Sequence, residues 1–123
     1  MHALIAVITT AAALLALAPS AARAQSVGGT YEVRGTNLDG SAYKGTATIE
    51  VTSKTTCRIR WETGSTSNGI CMRNDNAFSA AYVFGSGAAG LVVYEMKPDG
   101  TLDGLWTIAD TDGVGTETLT PIR

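Results

Sequence analysis

Three aspartates near the end of the chain, Asp103, Asp110 and Asp112, come nearest in type and spacing to a hydrolytic pair. Two carboxylates at a suitable separation can cleave a glycosidic bond, one acting as the acid and the other as base or nucleophile. Asp110 and Asp112 flank a hairpin turn, however, where aspartate is favoured because its side chain bonds its own backbone. The turn assignment is preferred, and no catalytic residue is assigned. Asp110-Thr111-Asp112-Gly113 also lacks the remaining oxygen ligands and terminal glutamate of a calcium loop. Gly85-Ser86-Gly87 lacks the lysine and following helix of a phosphate cradle.

The chain has one histidine, His2, inside an apolar N-terminal stretch, so no imidazole remains downstream to act as a base near pH 7. Its two cysteines, Cys57 and Cys71, are placed to bond each other, which removes the thiolate. Read instead as a metal site, the pair has no third or fourth strong ligand. The expectation is a protein that is not an enzyme and that needs no cofactor or metal.

Residues 1–24 read as a cleavable export signal. Ala3 to Ala18 form an uncharged apolar run broken by Pro19 and Ser20, and Ala22-Arg23-Ala24 gives the small-x-small cleavage pattern. The run is shorter than the roughly 20 residues that span a bilayer, although its head carries no Lys or Arg. Residues 25–123 then form a single domain, located in the periplasm or secreted, with no membrane insertion after cleavage. The formal charge of −2 becomes −3 when Arg23 leaves with the signal. The remaining basic residues are scattered, which argues against a nucleic-acid partner or an anionic membrane surface. Export also places Cys57 and Cys71 where disulfides persist. Closing their loop of about 15 residues is worth roughly 3 kcal/mol.

Downstream of the signal the apolar residues alternate at period two, and no segment has a helical period. Tyr31, Val33 and Gly35 line one face of a first strand, and Tyr43, Gly45, Ala47, Ile49 and Val51 one face of the next. Cys57, Ile59 and Trp61 alternate with Arg58, Arg60 and Glu62. Further strands are expected around 69–73, 77–84, 91–96, 102–109 and 114–121. Asp39-Gly40, Pro98-Asp99-Gly100 and Asp112-Gly113 supply turns with glycine where φ is positive. Residues 64–69 and 85–90 read as looser loops. The pattern predicts an all-β fold, a small antiparallel meander of about eight strands closed into a barrel, with a β-sandwich as the alternative. Asp39 to Gly45 echoes Asp99 to Gly104, each a turn feeding a strand with an early inward glycine. Trp106 is expected to fill the space left by Gly104.

Pairing Cys57 with Cys71 sets Ile59 opposite Gly69 and Trp61 opposite Ser67. Ile70 and Met72 then share the outer face with Arg58 and Arg60. The strand Leu91 to Met96 is apolar on both sides, and its Val92, Tyr94 and Met96 face is expected to point outward. Arg58, Arg60, Ile70, Met72, Val92, Tyr94 and Met96 are therefore the candidate partner-binding residues, for another protein or for a homodimer.

Several stretches carry a family resemblance: Tyr31-Glu32-Val33-Arg34-Gly35-Thr36-Asn37 with Asp39-Gly40-Ser41, Cys57-Arg58-Ile59 with Gly69-Ile70-Cys71-Met72, Gly90 to Glu95, Asp99 to Thr107, and Gly115 to Pro121. They resemble a family of small exported proteins of Gram-negative bacteria, mostly alphaproteobacteria, often labelled fibronectin-binding proteins. The resemblance implies an exported β protein with an adhesive role and no catalytic residues. A fainter likeness, carried by Gly85-Ser86-Gly87, is to periplasmic barrels that inhibit lysozyme or secreted proteases, although the Trp and Lys-Gly elements that follow that loop are missing here. The leading expectation is an exported binding protein of the envelope or exterior. The alternatives are an inhibitor of lysozyme or a secreted protease, and a carrier of a small apolar ligand. Against a carrier, an eight-stranded barrel can be filled by its own side chains, and Tyr43, Trp61, Phe78, Tyr82, Phe84 and Trp106 are available to fill this one.

Overall fold

The computed structural model describes residues 27–123, so the expected signal over 1–24 lies outside the described residues. Eight strands follow in order: β1 (Gly29–Thr36), β2 (Ala42–Val51), β3 (Cys57–Glu62), β4 (Thr66–Asn74), β5 (Ala77–Phe84), β6 (Ala89–Met96), β7 (Leu102–Ile108) and β8 (Gly115–Pro121). Each pairs antiparallel with the next, and β1 pairs with β8, so the meander closes into a barrel. Closure leaves no strand with unpaired backbone groups along its edge. The barrel expectation holds and the sandwich alternative does not.

The glycine-containing turns behave as the sequence predicts. Gly40 and Gly100 both take φ of 88°, a region that favours glycine. In each turn the preceding aspartate accepts a backbone N–H two residues on, from Ser41 to Asp39 and from Thr101 to Asp99, both at 2.9 Å. The echo between these segments is therefore one turn built twice, at opposite ends of the barrel. Asp110, with φ of 63°, sits in the β7–β8 turn as expected.

The disulfide and its register are also as expected. Cys57 and Cys71 are bonded with Cα atoms 4.9 Å apart, Ile59 lies opposite Gly69, and Trp61 lies opposite Ser67. Two strands extend further than the loop chemistry suggests. β4 begins at Thr66 and β6 at Ala89, because Ser67 and Gly90 face inward against rings on the adjoining strands.

At four inward glycines the ring of the residue directly opposite lies over the glycine: Tyr43 over Gly35, Tyr82 over Gly90, Tyr94 over Gly104 and Trp106 over Gly115. A Cβ at Gly115 would lie 2.3 Å from the Trp106 ring, and one at Gly104 would lie 2.7 Å from Tyr94. The missing side chain lets each ring lie across the neighbouring strand, which is how sheets cover glycine at sharply curved positions. Trp106 thus covers Gly115, and Tyr94 fills the space expected to go to Trp106.

One outward and one inward assignment are corrected. Val92 and Tyr94 are each only 2 % exposed and face the core, while Met96 is half-buried and packed against it. It is Leu91 and Val93 that point outward. Both faces of β6 are apolar, so alternation gives the period without the phase. The interior space beside Phe78, whose ring centroid is 5.9 Å from that of Tyr94, decides which face turns in. Val51, expected inward, turns out at the end of β2 and is half-exposed.

The two ends of the barrel differ. At one end Val27 packs into the core and accepts a 2.6 Å hydrogen bond from the Tyr31 hydroxyl, close to the disulfide. At the other end the β1–β2 and β3–β4 connections surround an opening.

Candidate functional site

One carboxylate points into the barrel. Glu117 lies on β8 between Gly115 and Leu119, and its residue is 6 % exposed. Among the described residues every other Asp and Glu is exposed. Three neutral donors converge on it from three other strands. The Tyr43 hydroxyl donates to Oε1 at 2.6 Å, the Trp61 indole N–H donates to Oε2 at 2.9 Å, and the Tyr94 hydroxyl also donates to Oε2. Gly35 and Gly104, the cross-strand partners of Glu117, carry no side chains to separate it from these rings.

Burial raises the Glu117 carboxyl above the usual range, because the charged form loses hydration, and the three donated bonds partly offset this. The phenols of Tyr94, Tyr43 and Tyr82 are all pushed up, first by burial and then by the negative charge of Glu117. All three phenols therefore stay protonated at ordinary pH.

A cavity of about 130 Å³ opens beside this carboxylate. Its walls are the rings of Tyr43, Trp61, Tyr82, Phe84 and Trp106, with Val92 and Ser67 between them and Asn37, Thr63 and Ser65 at the rim. The rings meet edge to face: Tyr43 and Trp106 at 78°, Trp61 and Tyr82 at 66°, Tyr82 and Phe84 at 86°. Tyr82 and Trp106 are also tied to backbone. The Tyr82 hydroxyl donates to the Thr107 carbonyl at 2.8 Å, and the Trp106 indole donates to the Thr116 carbonyl at 3.2 Å. The walls are thus held in place before any ligand arrives. The expected filling residues do line the interior, but they leave this space at the open end.

The sequence-predicted residues fall elsewhere. Arg58, Arg60, Ile70 and Met72 are exposed on the outer wall as expected, with Ile70 and Met72 each 57 % exposed. Arg60 pairs with Glu62 at 3.3 Å. Arg58 and Ile70 help to line an outer groove of about 550 Å³ with Val83 and Leu91. Val92 and Tyr94 are not available to a docking protein, because they are core residues; Val92 lines the inner cavity instead. Asp103, Asp110 and Asp112 do not converge on a site: Asp103 is exposed on β7, accepting from the Thr118 hydroxyl at 3.0 Å, and the other two are exposed in the following turn.

Sequence reasoning missed Glu117, although the signal was present. In Gly115-Thr116-Glu117-Thr118-Leu119, strict alternation puts the glutamate on the same face as a glycine and a leucine, and an acid on the apolar face of a strand is a buried polar group in need of partners.

No protein-family model and no curated protein matches the sequence. Solved structures do match over most of the chain. A redesigned β-barrel aligns with TM-score 0.72 and 19 % identity, covering 82 % of this chain and 96 % of its own. The redesigned barrel mFAP1, solved bound to DFHBI, aligns with TM-score 0.70 and 21 % identity, covering 80 % and 98 %. A Schistosoma mansoni fatty acid binding protein in complex with arachidonic acid aligns with TM-score 0.52 and 12 % identity, covering 81 % and 99 %. At these identities the likeness establishes the closed antiparallel barrel fold that this chain shares with them.

Proposed function

We propose that the protein is a non-enzymatic binding barrel of the cell envelope or exterior that takes a compact small molecule into its open end, against Glu117. One observation carries this reading: a buried carboxylate beside an aromatic cavity that opens at the barrel mouth. Core packing has no use for an unfilled space lined by rigid rings, since voids forfeit contacts. Fixed apolar walls with a few placed polar groups are the usual composition of a ligand site. Barrels of the same fold are seen with DFHBI and with arachidonic acid, which supports a small-molecule reading of this one. The ligand here is smaller. At about 130 Å³ the space is well below the roughly 300–1,000 Å³ of drug-sized pockets and near the roughly 150 Å³ that accommodates benzene. A long acyl chain does not fit.

Trp61 and Trp106 both line the cavity and report on it directly. Titrating the purified protein with a panel of compounds of four to seven heavy atoms should shift the indole N–H signals of both in a saturable manner. Equal shifts in a Val92→Phe variant, whose added ring occupies the cavity, would show that binding occurs elsewhere and remove the proposal.

A second reading concerns the outer wall. Ile70, Met72, Val83, Leu91, Val93 and Leu105 are all half or more exposed and lie on four consecutive strands. Across these strands Ile70, Ala81 and Leu91 share one register row, and Met72, Ser79, Val93 and Leu105 the next. Arg58 and Arg60 border this face on β3, and Glu95 and Asp103 border it on β6 and β7. A two-fold axis through the patch brings the basic margin of one copy to the acidic margin of the other, so the proposed occupant is a second copy of the chain. The adhesive role implied by the family resemblance would use the same face. Sedimentation equilibrium should show a dimer that Leu91→Lys dissociates; a monomer at millimolar concentration rules it out.

A further inference from the structure

Resting on the interior binding site proposed above, we infer that its ligand is a compact organic cation, an alkylammonium group seated among the aromatic rings with Glu117 as its counter-charge. Three observations on independent features converge here.

The first is charge. Glu117 is held by two phenols and an indole, all neutral donors, and its surroundings include no cationic side chain. Among the described lysines and arginines all are exposed except half-buried Arg73, which belongs to a separate cavity with Val27 and Cys57 at the closed end. Hydrogen bonds stabilise a carboxylate without cancelling its charge, and a buried charge without a counter-ion is costly. A cation entering the mouth supplies what the fold omits. An anionic ligand, such as a fatty acid carboxylate, would instead meet Glu117 with like charge.

The second is the wall. Rings at steep mutual angles form adjoining sides of a box, so a guest at its centre meets aromatic surface on several sides. Aromatic rings carry negative potential on their faces, and such cages recognise quaternary ammonium groups, with tryptophan the strongest contributor. Here two of the rings are tryptophans.

The third is size and the absence of competing charged groups from the lining. A space of about 130 Å³ suits a methylated ammonium head without a long tail. Asn37, Thr63 and Ser65 at the rim are uncharged, so they neither repel a cation nor retain an anion.

The test uses three compact, branched probes of different charge on the purified protein: tetramethylammonium, neutral tert-butanol and anionic pivalate, each titrated at constant ionic strength while the Trp61 and Trp106 indole signals are followed. Tetramethylammonium is expected to bind at least tenfold more tightly than tert-butanol, and pivalate not to bind. Glu117→Gln should erase most of that preference. Should that variant fold poorly, the wild type serves alone: its affinity for tetramethylammonium should fall as acidification protonates Glu117. The other groups facing Glu117 are Tyr43 on β2, Trp61 on β3, Tyr82 on β5 and Tyr94 on β6, and none of them changes charge over that range. Equal binding of tert-butanol, or binding of pivalate, overturns the cation assignment and leaves the interior site standing. No saturable shift with any of the three overturns both.

Discussion

Replacing Glu117 by leucine tests whether the carboxylate organises the barrel interior. The perturbation removes an acceptor that serves three donors. Tyr43 has an alternative, because the Thr116 carbonyl lies 3.4 Å from its hydroxyl. Tyr94 has none, and Trp61 has only the Tyr94 hydroxyl oxygen beside it: their donated bonds both end on Glu117 Oε2, and both residues are buried. Leaving a buried donor unsatisfied costs about 1–3 kcal/mol, so the variant should lose from about 1 kcal/mol with Tyr94 alone stranded to about 6 kcal/mol with both. For a domain of this size each kcal/mol lowers Tm by about 4–8 °C, so a central loss of about 3 kcal/mol corresponds to about 12–24 °C. Glu117→Gln is the matched control. Its carbonyl can keep the Tyr94 and Trp61 bonds while its amide meets the Tyr43 oxygen, so stability should stay within about 1 kcal/mol of the wild type. Denaturant unfolding of the oxidised protein, followed by tryptophan fluorescence and by circular dichroism, measures both variants. A leucine variant as stable as the wild type would show that the converging donors find other partners and that the carboxylate is dispensable to the fold.

Three more outcomes follow from particular contacts. Because the folded state raises the Glu117 carboxyl above 4.5, the native protein holds this proton more tightly than the unfolded chain; stability from this group is full below that value and is lost as pH rises through the folded one, so Tm should drop across that window in the wild type and not in Glu117→Gln. Gly104→Ala puts a Cβ 2.4 Å from the Val93 carbonyl oxygen, which only backbone movement relieves, whereas at Gly90 the nearest atoms belong to the far end of the Tyr82 ring; Gly104→Ala should therefore cost more, about 1–3 kcal/mol, with Gly90→Ala mainly displacing the ring and altering the cavity signals. Val92→Lys should prevent folding while Val93→Lys, one residue along, should change stability by less than about 0.5 kcal/mol, and equal tolerance of both by thermal melts would contradict the inward phase of β6.

The amino-acid sequence on its own determined the period, the punctuation and one register of this molecule. Alternation at Tyr31 to Gly35, Tyr43 to Ile49 and Cys57 to Trp61 specified strands and their inward faces, since each has one apolar side only. Aspartate-glycine pairs marked the turns, and the two cysteines aligned β3 with β4. These are local signals, carried by neighbours within a few residues or by a single covalent link. The tertiary structure alone decided the phase of β6, where both faces are apolar and only the space beside Phe78 selects one. It also decided the site. The donors that meet at Glu117 come from 74, 56 and 23 residues away, and no spacing along the chain records that they share one end of a barrel. Convergence of that kind is set by closure of the sheet, which brings side chains from β2, β3, β6 and β8 to one point across the lumen.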